Sequence, residues 1–307
     1  MNVLVLAGGV GGGRFAQGVA DAVAPEDVTV VGNVGDDVEV LGLHVSPDLD
    51  TVLYMLARAN DEERGWGRAG ETWRTLETVA SLGGEAWFKL GDLDLGLHLV
   101  RTQALRAGEP LSRVTASLAA AFGVAVTLLP ATDDRLRTWI STEAGEFPFQ
   151  EWFVARGHRD EVDAVRFEGA DAAQPATGVL AAFSAADLVL LAPSNPYVSI
   201  APILAVSAIR EALAARRVPA VAVSPLIGGR AVKGPADRML ARLAGGTSPR
   251  HVTSCYKGLI DALVVDEADA HDLSGLGDVR PIVTRTLMVD EAARRRLAEA
   301  ALGAVPA

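Results

Sequence analysis

The sequence predicts a doubly wound α/β fold, with a mostly parallel, Rossmann-like sheet that carries inserted helices and a β-hairpin. Three observations predict it. The chain opens with a strand, a glycine run and a helix, then a second strand, which together make one βαβ unit. Short, wholly apolar runs recur, as strands buried on both faces require. Several of those runs stop in Gly, Pro or polar residues, at the edge where open α/β sheets bind ligands.

In order, Val3–Ala7 is the first apolar strand, and six residues of which five are glycine follow it. Beyond Arg14, Phe15, Val19 and Val23 recur at helical spacing, and residues 28–31 form the second strand. Residues 124–129 end at Pro130, 188–192 end at Pro193, 220–223 lead into Ser224-Pro225, and 263–265 end at Asp266. Helices are expected at 105–121, 203–216 and 235–243, the first inside a helical insert covering about residues 51–121. Residues 147–154 with 162–167 read as an added hairpin, and 290–301 as a terminal amphipathic helix. No repeat or low-complexity linker interrupts them, so a single domain over residues 1–307 is expected.

Composition narrows the function. Half the residues are hydrophobic and 22% are charged, which excludes an intrinsically disordered chain. With 28 basic against 39 acidic side chains, a general nucleic-acid partner is not expected. The single cysteine, Cys255, excludes an internal disulfide framework and a multi-Cys zinc site. The acid excess is lopsided: residues 1–150 hold 11 basic and 21 acidic side chains, and residues 151–307 hold 17 and 18. No basic leader precedes the first strand, and the longest apolar stretches fall short of the ~20 residues of a membrane span. A cytoplasmic protein without a membrane partner is the expectation.

The motifs cluster at the predicted strand ends. Gly9, Gly11, Gly12 and Gly13 let the backbone approach an anion at a helix N-terminus, so phosphate binding is expected there. Gly11-x-Gly13-x-x-Ala16 fits a relaxed dinucleotide fingerprint, but Gly32-Asn33 stands where a ribose-binding acid belongs, which disfavours NAD. No Walker A sequence is present. Asn33-Val34-Gly35-Asp36-Asp37 and Ser46-Pro47-Asp48-Leu49-Asp50 place Asp36, Asp37, Asp48 and Asp50 on neighbouring loops, a donor set suited to Mg²⁺. Aspartate also caps helices and makes turns, so that reading stays open. Trp66, Trp73, Trp87 and Phe88 crowd one stretch of an aromatic-poor chain, either as core or as walls for a flat ligand. Ser194-Asn195 and Ser224, with Gly228, Gly229 and Lys233, end two later strands at the same edge, where Lys233 can neutralise a phosphate. His44 reads as a half-buried strand histidine, and neither HExxH nor GxSxG occurs.

Together these segments resemble the CofD/FbiA family, the transferases of coenzyme F420 biosynthesis. The resemblance rests on Leu6 to Gly12, Asn33 to Asp37, Gly42 to Thr51, Gly65-Trp66-Gly67, Glu71-Thr72-Trp73 and Trp87-Phe88 with Gly91 to Asp94. It continues through His98, Arg101-Thr102, Phe149 to Val154, Pro193 to Pro196, Ser199-Ile200 and Ser224 to Gly229, and runs from residue 1 to about 270.

The resemblance implies a reaction. The ribitol hydroxyl of the deazaflavin Fo attacks the phosphorus of a GDP-activated three-carbon acid, phosphoenolpyruvate or phospholactate. GMP leaves and (dehydro-)coenzyme F420-0 forms, with Mg²⁺ required. Under it, Asp36 and Asp50 are the expected catalytic metal ligands, with Asp37 and Asp48 beside them. Trp66, Trp87 and Phe88 would bound the deazaflavin. Ser194, Asn195, Ser224, Gly228, Gly229 and Lys233 would take the nucleotide. Leu93 stands where the family often has Arg, and Arg101 is the expected substitute for anion binding. Three lysines in an Ala- and Arg-rich chain suggest a GC-rich bacterium and, by family analogy, the phosphoenolpyruvate donor. A homodimer is also expected. The rival reading is a CofD-like regulatory protein that binds nucleotide sugars. Such proteins lack the Ser-Pro-Asp-Leu-Asp and Trp-Phe stretches.

Overall fold

The structure is a computed structural model that describes residues 1–304, so the last three residues of the expected domain lie outside the described residues. β1 (Val3–Ala7) runs into α1 (Gly9–Ala22) and returns through β2 (Val28–Gly32). An antiparallel pair, β3 (Val38–Val40) and β4 (Leu43–Val45), leads into α2 (Pro47–Leu56), α3 (Arg74–Ser81), α4 (Asp92–Arg106) and α5 (Leu111–Ala121). β5 (Thr127–Pro130) precedes β6 (Arg137–Thr142), β7 (Gly145–Pro148) and β8 (Ala164–Glu168). Next come α6 (Val179–Ala185), β9 (Leu188–Leu191), α7 (Ala201–Ala205), α8 (Ser207–Ala214) and β10 (Ala220–Val223). The chain ends through β11 (Leu226–Ile227), β12 (Arg230–Ala231), α9 (Ala236–Leu243), α10 (Pro249–Cys255), β13 (Ala262–Asp266), β14 (Arg280–Thr284) and α11 (Glu291–Leu302).

Seven strands form one parallel sheet in the order β14-β13-β10-β9-β1-β2-β5. The chain winds outward from β1 through β2 to β5, then returns to β9 on the other side of β1 and winds outward again. The order reverses between β1 and β9, and such switch points leave a crevice at the strand C-termini. All five residues of β1 are buried, as are those of β9, β10 and β13, which explains their unbroken apolar sequences. Among the described residues no single helix is long and apolar enough to cross a membrane.

The structure departs from the sequence reading in four places. The helix expected at 105–121 is two helices, because Pro110 cannot continue one. The helix expected at 203–216 breaks at Val206. The expected hairpin of 147–154 with 162–167 is a three-stranded sheet in which β6 lies between β7 and β8, while Glu151–Ala155 form a π-helical turn that buries Trp152. The inward positions of β6 include Thr138 and Thr142, which hide the apolar alternation of a strand. β14 carries no strand signal because it opens on Arg280-Pro281, yet an edge strand tolerates proline.

Candidate active site

The site forms where β1, β2 and β9 end. α1 starts at Gly9, which has φ +66°, so Gly11, Gly12 and Gly13 are the first turns of the helix and not a free loop. Their missing side chains permit close packing. A Cβ at Gly11 would lie 2.7 Å from the Pro193 carbonyl oxygen, one at Gly12 2.7 Å from Ser194 Oγ, and one at Gly13 2.9 Å from the Met55 side chain. Ser194 closes the switch point: its hydroxyl donates to the Gly8 carbonyl at 2.7 Å and accepts from the Gly8 N–H at 3.3 Å. The positive end of the α1 dipole therefore faces the crevice.

Three carboxylates converge beside it. Asn33 links two of them: its Nδ2 donates to Asp48 Oδ2 at 2.9 Å and to Asp36 Oδ1 at 3.3 Å, and its Oδ1 accepts from the Gly35 N–H. Gln150 Nε2 donates to Asp36 Oδ2 at 3.1 Å. Asp37 Oδ2 accepts from Ser46 Oγ at 3.0 Å and lies 2.9 Å from His44 Nε2, while Asp37 Oδ1 is buried with no partner among the described residues. Burial, then the charge of Asp48, then that of Asp37, raise the Asp36 carboxyl well above the ordinary value. Burial raises Asp48 to about 6 against the hydrogen bonds from Asn33 and Gly9, and Asp37 adds to the rise. Clustered, desolvated acids with an orphaned oxygen fit a hard cation. No three His, Cys, Asp or Glu side chains form a ready metal cage among the described residues.

Asp50 is placed differently. Arg101, almost wholly buried, donates to both of its carboxylate oxygens, one at 3.0 Å. His98 Nδ1 lies 3.8 Å from Asp50 Oδ2, and burial lowers the imidazole to about 4. The hydrogen bonds of Arg101 run to Asp50 and His98, so its guanidinium is sealed beneath the site.

The aromatic residues divide. A cavity of about 450 Å³ is lined by Trp66, Trp73, Leu76, Glu77, Ala80, Ala86 and Lys89. Trp66 and Trp73 lie 6.3 Å apart between centroids, and the Arg64 guanidinium lies over both. Trp87 and Phe88 instead meet edge to face outside this lining, and Phe88 packs on Val40, Val45, Leu90 and Leu95. Two crossed caps fix the region. Asp92 accepts from the Arg74 and Thr75 N–H groups at the start of α3, and Glu71 accepts from the Leu93 and Asp94 N–H groups at the start of α4.

The later motifs are engaged within the chain. Asn195 Oδ1 accepts from the Tyr197 N–H, and its Nδ2 faces Met239 Sδ. Ser224 Oγ accepts from the Leu226 N–H. The Gly228 and Gly229 N–H groups form an anion nest, filled here by the Asp269 carboxylate at 3.0 and 2.9 Å. Lys233 Nζ reaches the Gly65 carbonyl at 3.3 Å and so ties the second half of the chain to the Trp66 loop. Asn33, Gln150 and His44 were not singled out as site residues. Asn33 and Gln150 stand inside stretches that carry the resemblance, which was the available signal.

Known proteins resemble this chain along most of its length. The profile of the family described as 2-phospho-L-lactate transferase CofD matches residues 3–296. A phosphoenolpyruvate transferase of Streptomyces griseus is 47% identical over 88% of this chain and 87% of its own length. That of Kitasatospora aureofaciens is 45% identical over 98% and 97%, and that of Thermobifida fusca 46% over 91% of each. A crystal structure of a Bacillus halodurans protein superposes with a TM-score of 0.65 over 98% of this chain and 99% of that one, at 20% identity, a likeness of fold.

Proposed function

The chain belongs to the CofD family of 2-phospho-L-lactate transferases, and from that premise we propose how it works. It is a phosphoenolpyruvate or phospholactate transferase of coenzyme F420 biosynthesis. The donor we propose is GDP-activated phosphoenolpyruvate, as the names of its relatives suggest, and the acceptor is the ribitol hydroxyl of Fo. The hydroxyl oxygen bonds to the phosphorus that bears the three-carbon acid, the bond from that phosphorus to GMP breaks, and the hydroxyl proton leaves.

One observation carries this reading: the buried Asp36, Asp37 and Asp48 converge beside the N-terminus of α1 at the switch point. Such a reaction needs placement and charge neutralisation more than a covalent catalyst. The dipole of α1 would favour the donor phosphates. Asp36, Asp37 and Asp48 would hold Mg²⁺, which needs only one or two carboxylates when substrate phosphates complete its shell. Mg²⁺ would supply neutralisation of phosphoryl charge. One of these carboxylates is our candidate to accept the hydroxyl proton. Asp50 supports this wall from behind through Arg101. Trp66 and Trp73 would bound the deazaflavin in the 450 Å³ cavity.

The test is incubation with Fo, Mg²⁺ and each GDP-activated acid in turn, with mass detection of the phosphodiester. Product is expected with the phosphoenolpyruvate donor and is to vanish with EDTA. Absence of product with every donor would overturn the reading.

A further inference from the structure

We propose that Arg137, on β6, binds the carboxylate of the three-carbon acid carried by the donor. The assignment rests on the transferase reading above and adds to it the group that reads the acid. β6 forms a wall of the carboxylate pocket, because the Thr138 N–H donates to the Gly35 carbonyl at 2.6 Å and Gln150, just beyond β7, holds Asp36. This places Arg137 next to the turn that carries Asp36 and Asp37, and its positive charge is felt at Asp36.

Arg137 is half-buried, yet no carboxylate lies within ion-pair distance of it among the described residues. Glu168 stands opposite it in the β6–β8 register, but the Glu168 carboxylate pairs with Arg135. One nitrogen of Arg137 donates to the Leu136 carbonyl at 2.7 Å, which anchors the guanidinium, and the others donate to no described residue. The two cations that the sequence suggests for anion binding are occupied: Arg101 is sealed on Asp50, and Lys233 sits on the Gly65 carbonyl.

Mg²⁺ would neutralise the phosphoryl charge, and the donor's carboxylate calls for a further cation. A donor with its phosphorus beside Asp36 brings its own carboxylate into the same acidic pocket, where an uncompensated negative charge is repelled. A guanidinium with free N–H groups matches a planar carboxylate in two-point geometry, which an ammonium does not. Arg137 therefore discriminates a carboxylate-bearing donor from plain GDP.

The experiment compares wild type, Arg137→Gln and Arg137→Lys. It uses steady-state transfer to Fo from GDP-activated phosphoenolpyruvate and from its carboxylate methyl ester, with calorimetric binding of GDP and of the donor. Arg137→Gln is expected to raise the KM for the acid donor at least 30-fold, with the KM for Fo and the Kd for GDP within twofold. Arg137→Lys is expected to recover part of that loss. The methyl ester is to be used equally poorly by wild type and Arg137→Gln. An unchanged donor KM, an equal loss of GDP affinity, or an equal loss with the methyl ester would overturn the assignment. Wild type without product overturns the transferase reading instead, and the ratio of donor to GDP affinity in the two proteins then decides Arg137 separately.

Discussion

Asp50 faces a cation of its own chain, and this changes what its removal does. Asp50→Ala leaves Arg101 buried and unpaired, which costs about 3–5 kcal/mol. A large fall in the urea midpoint is expected, and the double variant Asp50→Leu with Arg101→Met is to recover most of it. Asp36 has no ion pair among the described residues, so Asp36→Asn is expected to lower turnover at least about 100-fold with the fold retained. In wild type, Mg²⁺ at ten times its Kd is to stabilise the protein by about 1.4 kcal/mol over matched monovalent salt, measured by thermal unfolding, and Asp36→Asn is to lose that gain. The two aspartates look alike in the sequence, where both sit in short acidic motifs. What separates them is Arg101, 51 positions beyond Asp50, and such a partner is set by the packing of α4 against α2. The spacing announced the acids and was silent on which were already neutralised.

Helices and their junctions show the same limit at the next scale. The glycine run was legible as a strand-to-helix passage, and the packing that several of its glycines permit was not. Gly18 makes the point within α1, because a Cβ there would lie 2.4 Å from the Arg294 carbonyl oxygen of α11. A backbone atom cannot swing aside, so Gly18→Ala is expected to cost roughly 3 kcal/mol by urea unfolding. The crossed caps of α3 and α4 were equally hidden, because Glu71 and Asp92 each serve the other's helix. Asp94, in the first turn of α4, gives the junction a pH dependence. Burial raises its carboxyl from 3.8 to about 6, against the hydrogen bond from Tyr54. The folded state then binds the proton more tightly than the unfolded chain. Its contribution is fully present below about pH 4 and is lost as pH rises to about 6, a change of roughly 3 kcal/mol. Asp94→Asn is expected to flatten the stability profile between those values, measured by thermal unfolding across the pH series.

Across the whole molecule the central sheet was the most legible feature, because strands buried on both faces carry an unbroken apolar signature. The three-stranded sheet was not, because β6 buries threonines at alternate positions and its outer strands are exposed. The acid excess of the first half now has a location: Asp36, Asp37, Asp48, Asp50 and Asp94 are buried in or beside the crevice. The sheet order has a further consequence, in time. β1 pairs with β2, about 20 residues on, but its other neighbour is β9, which begins about 180 residues later. At ribosomal speeds that interval is roughly 10–40 seconds, during which the apolar Val3–Ala7 has one bare edge. A nascent chain in that state resembles a sticky ribbon awaiting its closing partner. Chains cut before residue 188 are therefore expected to sediment as aggregates when made without chaperones, whereas the full chain is to stay in the supernatant.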